Sequence, residues 1–460
     1  MQLFSKILVA CGVFALAACD SDYNYRSNNA PLAETFTIQV LHASPDAPPV
    51  NVFVDGTEIL SGVDYKQASK IIALETGTYE IRVDGILPGG NATVIGPVDL
   101  TFEADTVYTV VAVNSVAAIE PVIIEQPRTP VGTGNARLLV LHATPGPVGP
   151  DYSLPVDVYV TVPGGALDSP ATFDFKGTIG PLEVAAGDYQ IRVYLEGSVD
   201  PAALVYDSGP LTLNFGDDYR VTAVPSVSGG PGALTLVAAN GIGATDFLDN
   251  RTSTALRVGH LSPDTGPVDV LVNDGVYLDS VPYPAVTGFA PLPSDTYNVK
   301  VTPEDMPGMI AIGPVDLTLD AGTWYTVLAV DFFNSIGDDP LILTDDPRPI
   351  ATIAKVRIIH ASPTAQDVDI YVVGPEVVDV TNETPTLTAV PFRANTGYLA
   401  LPEGDYNVIV TLTGSKDPAI GPAGISIANG GVYTAIARDP VPESMEFGLI
   451  VLEDVLNEDT

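Results

Sequence analysis

The sequence predicts an all-β protein built from four tandem antiparallel β-sandwich domains. Three observations carry that prediction. The composition is that of packed domains joined by many turns, one phrase recurs four times at domain-sized spacing, and within each recurrence the apolar residues alternate by twos.

A chain of 460 residues exceeds what one hydrophobic core serves, so several domains are expected. Hydrophobic residues make up 46% and charged residues 17%, and 42 Gly with 41 Pro imply frequent turns between short strands. Acidic residues number 57 against 19 basic, a formal net charge of -38. Such a surface repels polyanions, which argues against nucleic acid as a partner. No cofactor is indicated, although carboxylates at this density could gather calcium. The two cysteines, Cys11 and Cys19, lie at the extreme N-terminus, so the body of the protein has no disulfide framework.

Residues 1–18 carry one positive charge at Lys6 and then an apolar run from Ile7 to Ala18, too short to span a bilayer permanently. This reads as a signal peptide. Its end, Leu16-Ala17-Ala18-Cys19, is similar to the bacterial lipoprotein signal, in which small residues precede a cysteine that is lipidated and becomes the mature N-terminus. Several acyl chains on Cys19 would give stable membrane anchorage in the cell envelope. Residues 19–35 then form a polar, lipidated tether.

The repeats settle the organisation. The four histidines of the chain, His42, His142, His260 and His360, are 100, 118 and 100 residues apart, and each sits in one phrase: VLHASPDAPPVNVFVDG, VLHATPGPVGPDYSLPVDVYV, VGHLSPDTGPVDVLVNDG and IIHASPTAQDVDIYVVG. Three more landmarks follow in order. They are LETGTYEIRV, LEVAAGDYQIRV, LPSDTYNVKV and LPEGDYNVIV; then IGPVDLT, SGPLTL, IGPVDLT and IGPAGIS; then VYTVVAV, DYRVTAV, WYTVLAV and VYTAIAR. Segments rich in Pro, Gly and polar residues separate the copies. The domains are therefore placed at 36–125, 136–239, 255–344 and 355–455.

Seven short β-rich runs can be counted in the first copy: FTIQVLH, NVFVDGTEIL, SKIIAL, TYEIRV, GPVDLTF, VYTVVAV and PVIIE. Seven strands in about 90 residues fit a two-sheet sandwich. A leucine, a turn, then a tyrosine entering a strand resembles the tyrosine corner of immunoglobulin-like domains, with Tyr79, Tyr189, Tyr297 and Tyr406 in that position. The predicted fold is thus four tandem immunoglobulin-like antiparallel β-sandwich domains after a lipoprotein signal peptide.

Each histidine shares a strand face with apolar residues, such as Ile38 and Val40 for His42, and so points into a core at a strand end. The opposite face carries Gln39, Arg137, Arg257 and Arg357. Hydrogen-bond partners for the imidazoles are sought in the Ser/Thr that follows (Ser44, Thr144, Ser262, Ser362) and the Asx of the next strand (Asn51, Asp157, Asp269, Asp369). Zinc would need three or four ligands where each repeat offers one histidine and no cysteine, and a histidine base would need a nucleophile that no motif supplies. The reading is structural: no catalytic, cofactor-binding or metal residue is assigned.

The phrase HASPDAPPVNVFVDG resembles the hallmark of the bacterial domain-of-unknown-function family numbered 4397. The resemblance covers nearly the whole mature chain and implies an envelope or extracellular β-sandwich with no activity to carry over. The second copy departs by a longer turn, and the fourth replaces the Asp-Gly hairpin by VVGPEVV.

The position before the last landmark's tyrosine is Val107, Asp218, Trp324 and Val432; an aspartate there points to solvent and would expose Trp324. With Phe332 and Phe333 it forms a candidate contact surface for a protein or glycan. The expected protein is non-enzymatic, membrane-anchored through its N-terminal lipid, and arranged as a rod or bent arm reaching on the order of 120 to 160 Å. Alternatives are a carbohydrate- or calcium-binding module, supported by acid-rich junctions such as Thr344-Asp345-Asp346, and a carboxylate-based hydrolase, which no spacing in a sequence excludes.

Overall fold

The computed structural model describes residues 34–144, 155–227, 232–306, 308–337, 339–442 and 444–455. The signal peptide and Cys19 lie outside the described residues. Among the described residues the regular structure is strand apart from two three-residue 3-10 turns, Val116–Ala118 and Pro201–Ala203, and the sheets form four two-layer sandwiches.

In the first repeat eight strands form: β1 (Thr35–His42), β2 (Val50–Val54), β3 (Thr57–Val63), β4 (Ile72–Glu75), β5 (Gly77–Gly85), β6 (Ala92–Phe102), β7 (Thr106–Val113) and β8 (Glu120–Pro127). One sheet has the order β4-β1-β7-β8 and the other β3-β2-β5-β6. All pairings are antiparallel except β1 with β7. The same parallel pair recurs between Asn135–His142 and Asp218–Pro225, Thr254–Leu261 and Trp324–Val330, and Ala354–His360 and Val432–Arg438. The likeness to an immunoglobulin domain lies in the two-layer architecture. In the connectivity, β1 and β2 occupy opposite sheets, whereas the first two strands of an immunoglobulin constant domain share one.

The run NVFVDGTEIL is two strands rather than one. Asp55 and Gly56 take φ of 47° and 74°, the left-handed pair that a two-residue hairpin turn requires. Eight alternating strands bring the chain back to the end at which it started, where seven would have carried it across. Arg128, just beyond β8, accordingly reaches Thr35 at the start of β1. We term that end of each sandwich proximal and the end bearing the histidine turn distal.

The interior of the first sandwich is apolar. Phe36 stacks on Phe102 at 4.6 Å and meets Tyr108 edge-on at 5.5 Å, with Tyr79 completing the aromatic cluster. Towards the distal end Val50, Val52, Val83, Ile95 and Ala112 fill the space between sheets. The Gly-Pro landmark answers to a close backbone approach. A Cβ on Gly96 would come within 2.3 Å of the Ile81 carbonyl oxygen, and Gly313 and Gly421 meet Val299 and Val408 in the same way. All three have positive φ, so glycine is required there on two counts. Gly209 of the second repeat keeps a positive φ but has Asn250 as its neighbour instead.

The sheets containing β1 and its counterparts are buried on both faces. Leu41, Val111 and Val113 of the first repeat pack outward against Leu139, Leu141, Val224 and Val237 of the second, forming a core between sandwiches. Leu261, Leu328 and Val330 of the third repeat meet Ile359 and Ile436 of the fourth likewise. The repeats are therefore paired back to back, first with second and third with fourth. Tyr65 donates to the Pro225 carbonyl at 2.6 Å, and Tyr283 donates to that of Asp439 at 2.7 Å, at the distal end of each pair. Around the rim Lys66 meets Asp246, Lys176 meets Glu120 and Arg393 meets Asp339.

Within the second pair's interface lies a buried ionic cluster. Arg257 of the third repeat binds Asp345 and Asp454, and Arg357 of the fourth also binds Asp345; all four side chains are 2–3% exposed. Thr326 and Thr434 donate to the same carboxylates at 2.8 and 2.6 Å.

After the second repeat's eighth strand, Leu234–Ala239, the segment predicted as a linker adds a ninth, Ala244–Leu248, to the sheet. Nine strands leave the chain at the distal end, so the second pair starts where the first one finishes. The segment before the fourth repeat then bears on the first. Arg348 donates to the carbonyls of Ala47 at 2.9 Å and Pro45 at 3.3 Å, forms a 2.6 Å ion pair with Asp64, and lies over the Tyr65 ring. Ala351 donates its amide to Asp46 at 2.8 Å. The rod or bent arm expected from the sequence is thus corrected to two side-by-side pairs stacked end to end. The expectation failed because a hidden hairpin changes the strand parity and because the outer faces of four sheets are apolar.

Replacing Arg257 by Met leaves Asp454 buried without its cation. Such a loss costs about 3–5 kcal/mol, read as a lower urea midpoint for the transition of the second pair. Adding Asp454→Leu is expected to restore most of it, whereas a single variant within about 0.5 kcal/mol of the parent would contradict this role.

Candidate functional site

The recurring turn is the natural place to look for chemistry, because it concentrates the chain's only histidines. His42 is 1% exposed, and its Nε2 lies 3.2 Å from the Pro48 carbonyl while its Nδ1 accepts the Ser44 amide at 3.3 Å. His260 and His360 repeat the first contact with the carbonyls of Gly266 and Gln366 at 3.0 and 3.1 Å, in each case six residues on. Ser362 donates its amide to His360 at 3.4 Å. The turn after His142 lies outside the described residues. At His42 and His360 the imidazole therefore acts as a clamp, Nε2 to a carbonyl and Nδ1 to an amide, that closes the turn between the two sheets, while at His260 the Nε2 contact alone is made.

Its environment keeps it neutral. Burial lowers His42 to about 4, with the Arg348 guanidinium adding to the effect, while the Pro48 carbonyl and Asp64 oppose it. Burial likewise lowers His142 to about 4 against a small opposing pull from Asp174. His260 and His360 are also lowered by burial. Each ring meets an aromatic side chain edge-on: Tyr65, Phe173, Tyr283 and Phe392 respectively.

Other residues of the phrase hold neighbouring loops. Asp46 accepts the Val116 amide and Asp264 the Phe333 amide, both at 2.8 Å, tying the turn to the loop after the parallel strand. The Asx residues serve the hairpin rather than the imidazole. Asn51, Asp269 and Asp369 accept the amides of Gly62, Ser280 and Ala389 at 2.9 Å, and these three residues have left-handed φ at bulges in the next strand. Asp157 bonds Thr172 and the Gly197 amide.

The tyrosines share one geometry. Tyr79, Tyr189, Tyr297 and Tyr406 donate to the carbonyls of Glu75, Ala185, Pro293 and Pro402, four residues earlier, at 2.6, 2.7, 2.7 and 3.0 Å.

The aromatic residues proposed as a contact surface are not brought together. Trp324 is half-buried edge-on against Phe289 at 4.7 Å, and Phe289 in turn carries Arg257 over its ring at 4.3 Å. Phe332 and Phe333 lie beyond the other end of the same strand, roughly 20 Å away at strand rise, and are also half-buried. Of the acid-rich junction, Asp345 answers to two arginines and Asp346 to Lys355. Among the described residues no three His, Cys, Asp or Glu side chains gather as a metal ion would need.

Sequence reasoning missed the Arg348 contact, which nothing local announces. It placed Gln39, Arg137, Arg257 and Arg357 on the face opposite the histidine without a cover for that face, and all four are buried. The signal was available: Leu139, Leu141, Leu261 and Ile359 lie on that same face, and a strand apolar on both sides is a strand covered on both sides.

Fold and site together define a tandem β-sandwich protein whose recurrent polar residues maintain turns and interfaces. The chain belongs to the domain-of-unknown-function family DUF4397, which matches residues 36–148, 254–371 and 372–460. The boundary at 371 falls inside the strand Val368–Val373 of the fourth repeat, and most of the second repeat lies outside the matched segments. No curated protein matches the chain. Similar solved structures include the TIE protein of Bacillus anthracis, at 11% identity over 89% of this chain and 69% of that one, with a TM-score of 0.15. Another is the major pilin subunit BcpA of Bacillus cereus, at 11% identity over 88% of this chain and 98% of that one, with a TM-score of 0.13. Likenesses at such scores carry no argument about function.

Because the folded imidazoles bind their protons less readily than the unfolded chain, stability is full above about pH 6.5 and falls as pH drops towards 4. In a histidine NMR titration His42 and His142 should stay neutral down to about pH 4, and either imidazole titrating near 6.5 would contradict its burial in the folded sandwich. Tyr79→Phe leaves the Glu75 carbonyl without its donor and should cost about 1–3 kcal/mol in denaturant unfolding. The more exposed Tyr297 should cost less when changed in the same way.

Proposed function

We propose that this is a lipid-anchored, non-enzymatic cell-envelope protein that uses a block of paired β-sandwiches for adhesion or structural interaction. The observation that carries this reading is the direction of the chain. The described chain begins at the proximal end of the first repeat, and strand parity sets the turns of the third and fourth repeats at the opposite end of the block. A tether rooted at Cys19 would hold the first end at a membrane and direct the second away from it. The histidines, the residues best suited to catalysis at neutral pH, are closed inside the turns that hold the sheets together. The high negative charge keeps such a block off anionic headgroups, so the anchor and not the surface would set its place.

Replacing Cys19 by Ser in the full precursor is the direct test. Expected is a shift of the protein from the membrane fraction to the soluble fraction, with digestion of the parent by protease added to intact cells. Membrane partition unchanged by the substitution would remove the anchor from the proposal. Turnover of any member of a glycan panel by the purified protein would remove its non-enzymatic part.

A further inference from the structure

We infer that the distal end of the third repeat, with the neighbouring loop of the fourth, is a docking tip for a cationic polypeptide segment that inserts apolar side chains. The placement of methionine points there. The chain has four methionines, and after Met1 the remaining three are Met306, Met309 and Met445. They are 53%, 48% and 94% exposed, and Ile310 beside them is 46% exposed.

Met306, Met309 and Ile310 stand on the loop between Asp295–Pro303 and Ile312–Leu319, and Met445 on the loop between Val432–Arg438 and Gly448–Val455. Both loops follow strands that run towards the distal end, so both lie at the free end of the block. In the first repeat the corresponding loop has Ile86 and Leu87, which are half-buried; the backbone tie of the Ile86 amide to the Pro49 carbonyl is kept in the third repeat by Glu304 and Pro267, so the difference lies in the side chains beyond it. The third repeat has changed that loop into one that shows its apolar side chains to water. Unbranched, polarisable methionines suit a surface that adapts to a partner's side chains.

Charge selects the partner. Glu304, Asp305 and Asp264 are exposed at the distal end of the third repeat; of the cations at the same end of the pair, Arg393 is paired with Asp339, and Arg438 and Lys416 are half-buried, bonded to the carbonyls of Asp439 and Glu383. Exposed carboxylates beside exposed apolar side chains repel nucleic acid and anionic lipid and favour a partner with Lys or Arg flanking apolar anchors. A sugar platform is not offered, because Trp324 lies at the opposite end of the third repeat and Phe332 and Phe333 are half-buried. The outward direction of this tip rests on the proposed anchorage. Its chemistry does not, and the test in solution separates the two.

The test uses the mature full-length chain carrying Cys19→Ser. The probes are two labelled 18-residue peptides with one leucine face, one bearing lysines and the other glutamates on the polar face, followed by fluorescence anisotropy at about 0.15 M salt, where distant charges are screened. The lysine peptide is expected to bind and the glutamate peptide not. Changing Met306, Met309 and Met445 together to Gln should weaken binding at least tenfold with the melting temperature unmoved, because all three side chains are exposed. Equal binding of the lysine peptide to the triple variant would show diffuse charge alone and overturn the proposal. No binding to the parent chain, or equal binding of the glutamate peptide, would overturn it as well.

Discussion

A single sandwich of this sequence cannot stand alone without exposing one of its own sheets. Leu41, Val111 and Val113 in the first repeat, and Leu139, Leu141, Val224 and Val237 in the second, project from the outer face of the sheet that contains the parallel pair. Covering each such side chain is worth about 1.5–3 kcal/mol, so leaving the face open would cost on the order of 10 kcal/mol, as much as the whole stability of an ordinary domain. Pairing back to back removes that face from water. The side-by-side arrangement, the burial of Arg257 and Arg357 and the shared hydrogen bonds of Tyr65 and Tyr283 all depend on it.

Chain direction makes the pairing feasible with short connections. Eight strands return the chain to its starting end, so the next repeat begins beside the last one. The ninth strand of the second repeat, Ala244–Leu248, breaks that rule once and sends the chain to the other end, where the second pair is built. Arg348 then fixes the junction by filling the turn that His42 closes, reaching two of its carbonyls and Asp64. The histidine turn thus serves first as the link between two sheets and, in the first repeat, also as the seat of the next pair.

The fold class, the number of repeats and the inward direction of the histidines were legible because they rest on local signals: period-two alternation, turn residues and recurrence. Two things were not. The Asp55-Gly56 turn was visible as a dipeptide, yet reading NVFVDGTEIL as one strand lost the parity on which the arrangement of domains turns. The arginines opposite the histidines gave no sign of what covers them, because a charge on an alternating strand usually faces water. Their partners Asp345 and Asp454 lie 88 and 197 residues away from Arg257, beyond any local pattern. The candidate site was legible to the same extent: the imidazole turn could be located, but its six-residue reach to a backbone carbonyl and the loop anchors Asp46 and Asp264 are tertiary facts.

The central claim is that four sandwiches form two stacked pairs and not a line. Small-angle X-ray scattering from the mature chain measures this directly. Two pairs stacked end to end predict a radius of gyration of about 22–27 Å, close to that of one compact body of this length. A value of about 40 Å, as expected for four units of ordinary domain size in a row, would contradict the account.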